Sequence, residues 1–149
     1  MLESLAGRSP RVIPCKLSGE RDTDAARLRE LAEGGTDLAL DYLGQTPTAN
    51  ATLSAIDALK AGGTAVLVGG VRHDLALPYQ TIMRRQLSIR GSFMFQRDTA
   101  LECWMLMRSG AVDLSPLTPE AFPLGRIEDA IAAAPTLSGF NFAVLLPNG

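Results

Sequence analysis

The residues able to do chemistry are few in this chain of 149 residues: one histidine, His73, and two cysteines, Cys15 and Cys103. An imidazole works as a general acid or base only beside a group that positions it. His73 falls in VRHDLALP, a loop-like stretch, where a lone histidine reads as solvent-exposed. Cys103 falls in TALECWMLMR, whose Leu101, Trp104, Met105 and Met107 predict a largely buried helix, so the thiol reads as a small core hydrophobe. Cys15 ends RVIPC beside Lys16; reactivity there would need a positive charge close in space, and adjacency in sequence is slender support. Asp37 and Asp41 flank DLALD and fit either a strand-end cap or a site residue, the structural role being the commoner. No HExxH, Cys/His ligand cluster or GxSxG is present. No nucleophile–base pair therefore supports a small independent hydrolase.

Composition narrows the classes further. Hydrophobic residues make up 46% and charged residues 20%, the profile of a globular chain, and the net charge of −2 offers nothing to nucleic acid or an anionic membrane. No apolar run approaches the roughly 18 residues of a membrane span, and MLESLAGRSPRVIPCK lacks the apolar core of a signal peptide. The two cysteines form no CxxC pair and no disulfide framework. A reduced, cytoplasmic setting is expected.

The elements that must position any site alternate. Leu2–Gly7 reads as a helix end and Arg11–Cys15 as a short strand limited by Pro14. Asp22 or Thr23 is placed to cap a helix that ends at Gly34–Gly35, and Asp37–Leu43 reads as a strand. Thr46 then stands as an N-cap ahead of Pro47, Ala49, Leu53, Ile56 and Leu59 recur at helical spacing, and Gly62–Gly63 offer a stop. Thr64–Val68 follows as a short run that fits burial on both faces of a parallel sheet. Strand, helix, strand, helix, strand predicts an α/β fold with parallel strands, against a helical domain as the alternative. Beyond it, Leu87–Phe95 reads as a strand, and Thr99 with Glu102 as a capping box for a helix through Arg108. Leu114–Phe122 looks Pro-rich and irregular, Arg126–Ala134 helical, and Phe142–Leu146 a last strand.

Open parallel sheets bind ligands beyond the carboxyl ends of their strands. Tyr42–Gly44, Val68–Gly70 and Gly91–Met94 are accordingly the candidate site edges, with glycines serving only tight turns as the plainer reading. A dinucleotide site normally also carries GxGxxG between its first strand and helix. Here the glycines of GGTAVLVGG follow a helix and a strand instead.

The order GGTDLALDYLG, ALKAGGTAVLVGG, LSIRGSF, RSGAVDLSPLTPEAFPLGRIEDAIAAA and FAVLLP resembles the C-terminal part of the medium-chain dehydrogenase/reductase family, which includes zinc-type alcohol dehydrogenases. The five segments run from about Gly34 to Pro147, and FPLGRIEDAIAAA after LSIRGSF is the most specific. The resemblance implies a partial Rossmann domain at 1–115, strands three to six of a parallel sheet, followed by a return segment of the catalytic domain at 116–149. Arg11–Cys15, Asp37–Asp41, Thr64–Val68 and Leu87–Phe93 would be those strands.

In that family NAD or NADP lies against the ends of strands four to six. Carried over, Tyr42 and Leu43 would flank ribose and ring, Val68, Gly69 and Gly70 would lie by the nicotinamide, and Ser92 and Met94 would approach it from strand six. The resemblance also implies a homodimer through edge strands at Thr81–Met83 and Leu87–Arg90, within Thr81–Arg90. The family's zinc ligands, proton relay, phosphate loop and ribose-binding acid would all belong upstream of Met1, and Asn141 and Phe142 stand where a basic residue is often found. The expectation is a fragment of an NAD(P)-dependent alcohol dehydrogenase that is inactive alone, with a non-catalytic dimerisation or binding module as the alternative.

Overall fold

The computed structural model describes residue 7, residues 9–96 and residues 98–147. The expected helix end at Leu2–Gly7 lies outside these, except for Gly7 in a turn. The chain divides between Met94 and Phe95 into two compact units.

The first unit, Ser9–Met94, is α/β. Its elements are α1 (Arg21–Leu31), β1 (Thr36–Asp41), α2 (Asn50–Asp57), β2 (Leu59–Leu67), α3 (Tyr79–Arg85) and β3 (Ser88–Gly91). The strands form one parallel sheet in the order β1–β2–β3. Two consecutive βαβ steps explain why the apolar runs are short and separated by helices. Ile56, Leu59, Ala65 and Leu87 make the buried core, with Ala39, Leu75, Leu77, Ile82 and Ile89 packed on it.

Local chemistry moved several element ends from where the sequence pattern put them. Helix α1 starts at Arg21, one residue ahead of the expected caps. Asp24 reaches back from the first turns instead, accepting bonds from the Ser18 N–H (2.7 Å), the Ser18 hydroxyl (2.7 Å) and the Gly19 N–H (2.9 Å). Neither Thr46 nor Pro47 begins α2. The Thr46 hydroxyl donates to the Thr48 carbonyl, Thr48 Oγ1 accepts the Asn50 N–H, and the helix opens at Asn50. Nor does α2 run to Gly62. The Thr36 N–H of β1 takes the Ala58 carbonyl at 3.0 Å, drawing the chain into the sheet four residues early. Gly62 and Gly63 thus lie in β2, where three residues of β1 (Thr36 to Leu38) face six of β2 (Leu59 to Thr64). Such a bulge suits Gly62 at φ 78°.

Three larger differences concern the edges and faces of this sheet. Arg11–Cys15 is not a strand; Pro14 offers no donor, and β1 is the sheet edge with no further strand beside it among the described residues. β1 is also not covered on both faces, whereas no residue of Thr64–Val68 is exposed. Leu38 and Leu40, on one face of β1, are each 52% exposed. Thr81–Met83 is helical, in α3, so the sheet's other edge is β3 alone.

The second unit holds α4 (Thr99–Arg108), β4 (Thr118–Pro123), a short 3-10 turn (Leu124–Arg126), α5 (Ile127–Ala133), a second 3-10 turn (Ala134–Thr136) and β5 (Asn141–Leu146). Asp98, not Thr99, precedes α4, and no side chain caps it. The helix is not buried either: Trp104 is 54% exposed, and Leu101, Met105 and the thiol-bearing Cys103 are exposed too. Its two-sided apolar pattern asks for cover that the described residues do not supply. The Pro-rich segment is a strand. β4 pairs in parallel with β5 from Thr118↔Asn141 to Pro123↔Leu146. Pro119 and Pro123 are four residues apart, so both missing donors fall on the same side of the strand and can leave the paired side intact. Phe122 and Ala130 form the small buried centre of this βαβ unit.

Candidate functional site at the strand ends

The three predicted edges converge at the carboxyl ends of β1, β2 and β3, and backbone bonds beyond the strands lace them together. The Asp41 carbonyl accepts the N–H groups of Val68 (2.9 Å) and Gly69 (2.8 Å). Gly70 N–H donates to the Leu43 carbonyl at 2.7 Å, and Ser92 N–H to the Leu67 carbonyl at 2.9 Å. Leu43, Val68, Gly69, Gly70 and Ser92 are thereby held in one network, with Tyr42 between Asp41 and Leu43 in the chain. Met94 lies two residues further, at φ 57° with an exposed side chain.

Two glycines in this network do different things. A Cβ at Gly69 would come within 2.1 Å of the Leu43 carbonyl oxygen, so only glycine lets the two loops cross this closely. A Cβ at Gly70 would meet nothing within 4 Å. The first glycine shapes the loop crossing; the second leaves open space above it.

The side chain that organises this end is Asp41. Oδ1 accepts the Leu43 N–H (2.8 Å) and Oδ2 accepts the Thr52 hydroxyl (2.8 Å). Asp41 is thus committed to positioning the loop after β1, the commoner of the two roles its sequence position allows. Thr52 is buried and was not singled out by the sequence pattern, because a helical threonine gives no motif. His73 is exposed, and its Nε2 lies 2.7 Å from the Thr46 carbonyl, so it closes a loop contact. Asp41, Thr52, Leu67, Gly69, Val71, His73 and Leu75 enclose a hollow of about 170 Å³. That is small beside the roughly 300–1,000 Å³ usual for ligand pockets.

Side-chain ionisation is most marked in the first unit, away from these strand ends. The Ser18 N–H bond holds the Asp24 carboxyl below the usual carboxylate range; burial opposes this, while the Ser18 hydroxyl and Gly19 N–H add to it. The hydrogen bond to Asp57 raises the Arg21 guanidinium further above its ordinary value, burial opposing and the charges of Asp57 and Asp22 assisting. No group of three or more His, Cys, Asp or Glu able to hold a metal ion is found among the described residues, so no residue here is assigned to zinc.

Open space beside exposed backbone at three adjacent parallel strand ends suits one edge of a flat, polar-rimmed ligand. A profile of the zinc-binding dehydrogenase family matches residues 16–109. L-idonate 5-dehydrogenase of Vitis vinifera is 29% identical over 111 residues, a span of 73% of this chain and 29% of that protein. Among solved structures, the alcohol dehydrogenase of Aeropyrum pernix superposes with a TM-score of 0.62 at 22% identity, over 83% of this chain and 34% of that one. A putative zinc-binding dehydrogenase from Sinorhizobium meliloti 1021, bound to NADP, gives a TM-score of 0.65 at 23% identity, over 78% and 33%. The chain therefore spans about a third of the length of the proteins it matches. Its parallel sheet, its glycine-marked strand ends and the match across 16–109 together make it a member of the zinc-binding dehydrogenase family, corresponding to the C-terminal part of a medium-chain enzyme.

Proposed function

We propose that this chain forms the nicotinamide-facing side of an NAD(P)-dependent oxidoreductase that moves hydride between an alcohol or polyol and the cofactor. The observation that supports this reading most directly is the convergence of Tyr42–Leu43, Val68–Gly70 and Ser92–Met94 at one end of a parallel sheet. Ligands of open α/β sheets bind at that end. The N–H groups of Leu43, Val68, Gly69, Gly70 and Ser92 are committed to the network, so a neutral carboxamide would meet main-chain carbonyls at this edge rather than a charge. When bound, the cofactor would supply hydride chemistry; these residues would orient its ring. The 149 residues contain no glycine-rich phosphate loop, and hydride transfer is proposed for the complete enzyme only. The reducing, cytoplasmic setting expected from the sequence suits the two free thiols.

Backbone amide shifts followed by NMR during titration with NADH and NADPH test this reading. Perturbation at Tyr42–Gly44, Val68–Gly70 and Ser92–Met94 at millimolar cofactor is expected. Silence at these amides would sink it.

The second reading is a dimerisation module. β3 is a free parallel edge, and a second copy pairing along Ser88–Arg90 would extend the sheet across a two-fold axis. Light scattering across a concentration series tests it. A monomer throughout counts against this use of the Thr81–Arg90 region, in which only the β3 part is strand.

A further inference from the structure

The other notable depression of the first unit, of about 800 Å³, is open and polar, and lies where α2 hands over to β2. Three arginines from two helices meet there. Arg21 pairs with the Asp57 carboxylate through Nε–Oδ2 at 2.6 Å and Nη2–Oδ1 at 3.1 Å. Arg29 and Arg85 both donate to the Asp57 carbonyl, Arg85 Nη1 at 3.2 Å. The end of a helix carries only about half a negative charge. Asp57 and that half charge face three guanidinium groups directly; of the two other carboxylates lining the cleft, Asp22 acts on Arg21 and Glu20 is exposed.

Neither Arg29 nor Arg85 has a carboxylate partner among the described residues. Glu20 and Asp22 also line the cleft, but both are exposed and neither accepts a bond from these two arginines. Each guanidinium has five N–H donors, and the bond to Asp57 occupies one. Because both arginines are tethered to the same oxygen, their remaining donors are held close together at little further entropic cost. Thr23 and Thr81 add hydroxyls to the same wall.

We propose that this cleft is an oxoanion site, with Arg29 and Arg85 as its two guanidinium walls and Arg21 neutralised by Asp57 behind them. The ligand class is a tetrahedral phosphate, either free or carried as a monoester. Paired guanidiniums meet such an anion through parallel N–H···O bonds, which a lysine or a lone arginine does not match. The site is separate from the strand-end network, and it stands or falls independently of the cofactor reading.

The test is an amide-shift titration of the full chain with inorganic phosphate, at ionic strength held constant with chloride. Saturable shifts at Arg29, Asp57, Ala58 and Arg85 are expected, weakened about tenfold in Arg85→Gln, the scale of one lost charge-assisted bond. Arg84→Gln removes the same charge from an exposed neighbour outside the cleft and should leave the affinity unchanged. Glycerol phosphate in a parallel arm separates the sources: tighter binding than phosphate marks a monoester site, equal binding a free-phosphate site. Shifts that stay linear, that chloride reproduces, or that Arg84→Gln weakens as much as Arg85→Gln would overturn the proposal. If Arg85→Gln fails to fold, the wild-type map decides, since saturable shifts confined to residues outside the cleft also overturn it.

Discussion

The two ends of β2 each need a glycine at a close backbone approach but differ in what else fixes them. At its exit, Val68–Gly70 is fixed by main-chain bonds to Asp41 and Leu43, with a glycine where the loops cross. At its entry, Asp57 and Ala58 are fixed by long cationic side chains and one sheet bond from Thr36. The exit is specified by steric exclusion, which is all-or-none. The entry adds charge, which solvent screens and neighbours share, to a close approach of its own: a Cβ at Gly35 would come within 2.6 Å of the Ala58 carbonyl oxygen. An end built from backbone should thus tolerate substitution poorly at one atom and well next to it. An end built from arginines should lose stability gradually.

The largest expected effect is at the crossing. Gly69→Ala should cost about 3 kcal/mol in urea denaturation, the upper end for forced overpacking. Its neighbour Gly70→Ala, with free space around the new methyl, should stay within about 0.5 kcal/mol. Equal costs at both positions would break the claim that steric exclusion sets this end. Next comes Thr52→Val, which strips one bond from Asp41 at a buried position and should cost about 1–2 kcal/mol. At the entry, Asp57→Asn should cost about 1 kcal/mol, because the Arg21 pair is partly solvated, and the loss should shrink further in high salt. A salt-independent loss there would mean that packing, not charge, holds the entry.

The most local effect concerns Asp24, and only its pH dependence is sharp. Its folded-state carboxyl is held below the unfolded value of about 3.9. The stabilisation is therefore complete well above that value and is lost as pH falls through the lowered folded pKa. Asp24→Asn should melt below the wild type at neutral pH, with the gap closing in acid below about pH 4. A gap that is constant with pH would show that shape, not charge, sets the role of Asp24.

The fold class was legible because periodicity changes between strand and helix survive without any tertiary knowledge. Val66, Leu67 and Ile89 fall in strands, and Leu53 and Ile56 in a helix, as their spacing implies. What stayed hidden depends on partners. Arg11–Cys15 has strand-like residues but no neighbouring strand, and α4 has a core-like composition but no core around it. Thr118–Pro123 shows the converse, since two prolines argue against a strand until both are seen to share one side. The strand-end glycines were visible as punctuation, although nothing in sequence separates the crowded Gly69 from the open Gly70. The arginine cleft was not legible: Arg29 and Arg85 lie 56 positions apart, and no local pattern links them.

The bare flank of β1 has a consequence for the life of the chain in a crowded solution. TDLALD presents unpaired main-chain groups beside two half-exposed leucines, the arrangement that recruits further strands without regard to their identity. The exposed carboxylate of Asp37 next to them acts as a gatekeeper, because stacking like copies in register would bring like charges together. Strand addition along this edge is therefore expected to compete with dispersion, and Asp37 opposes it.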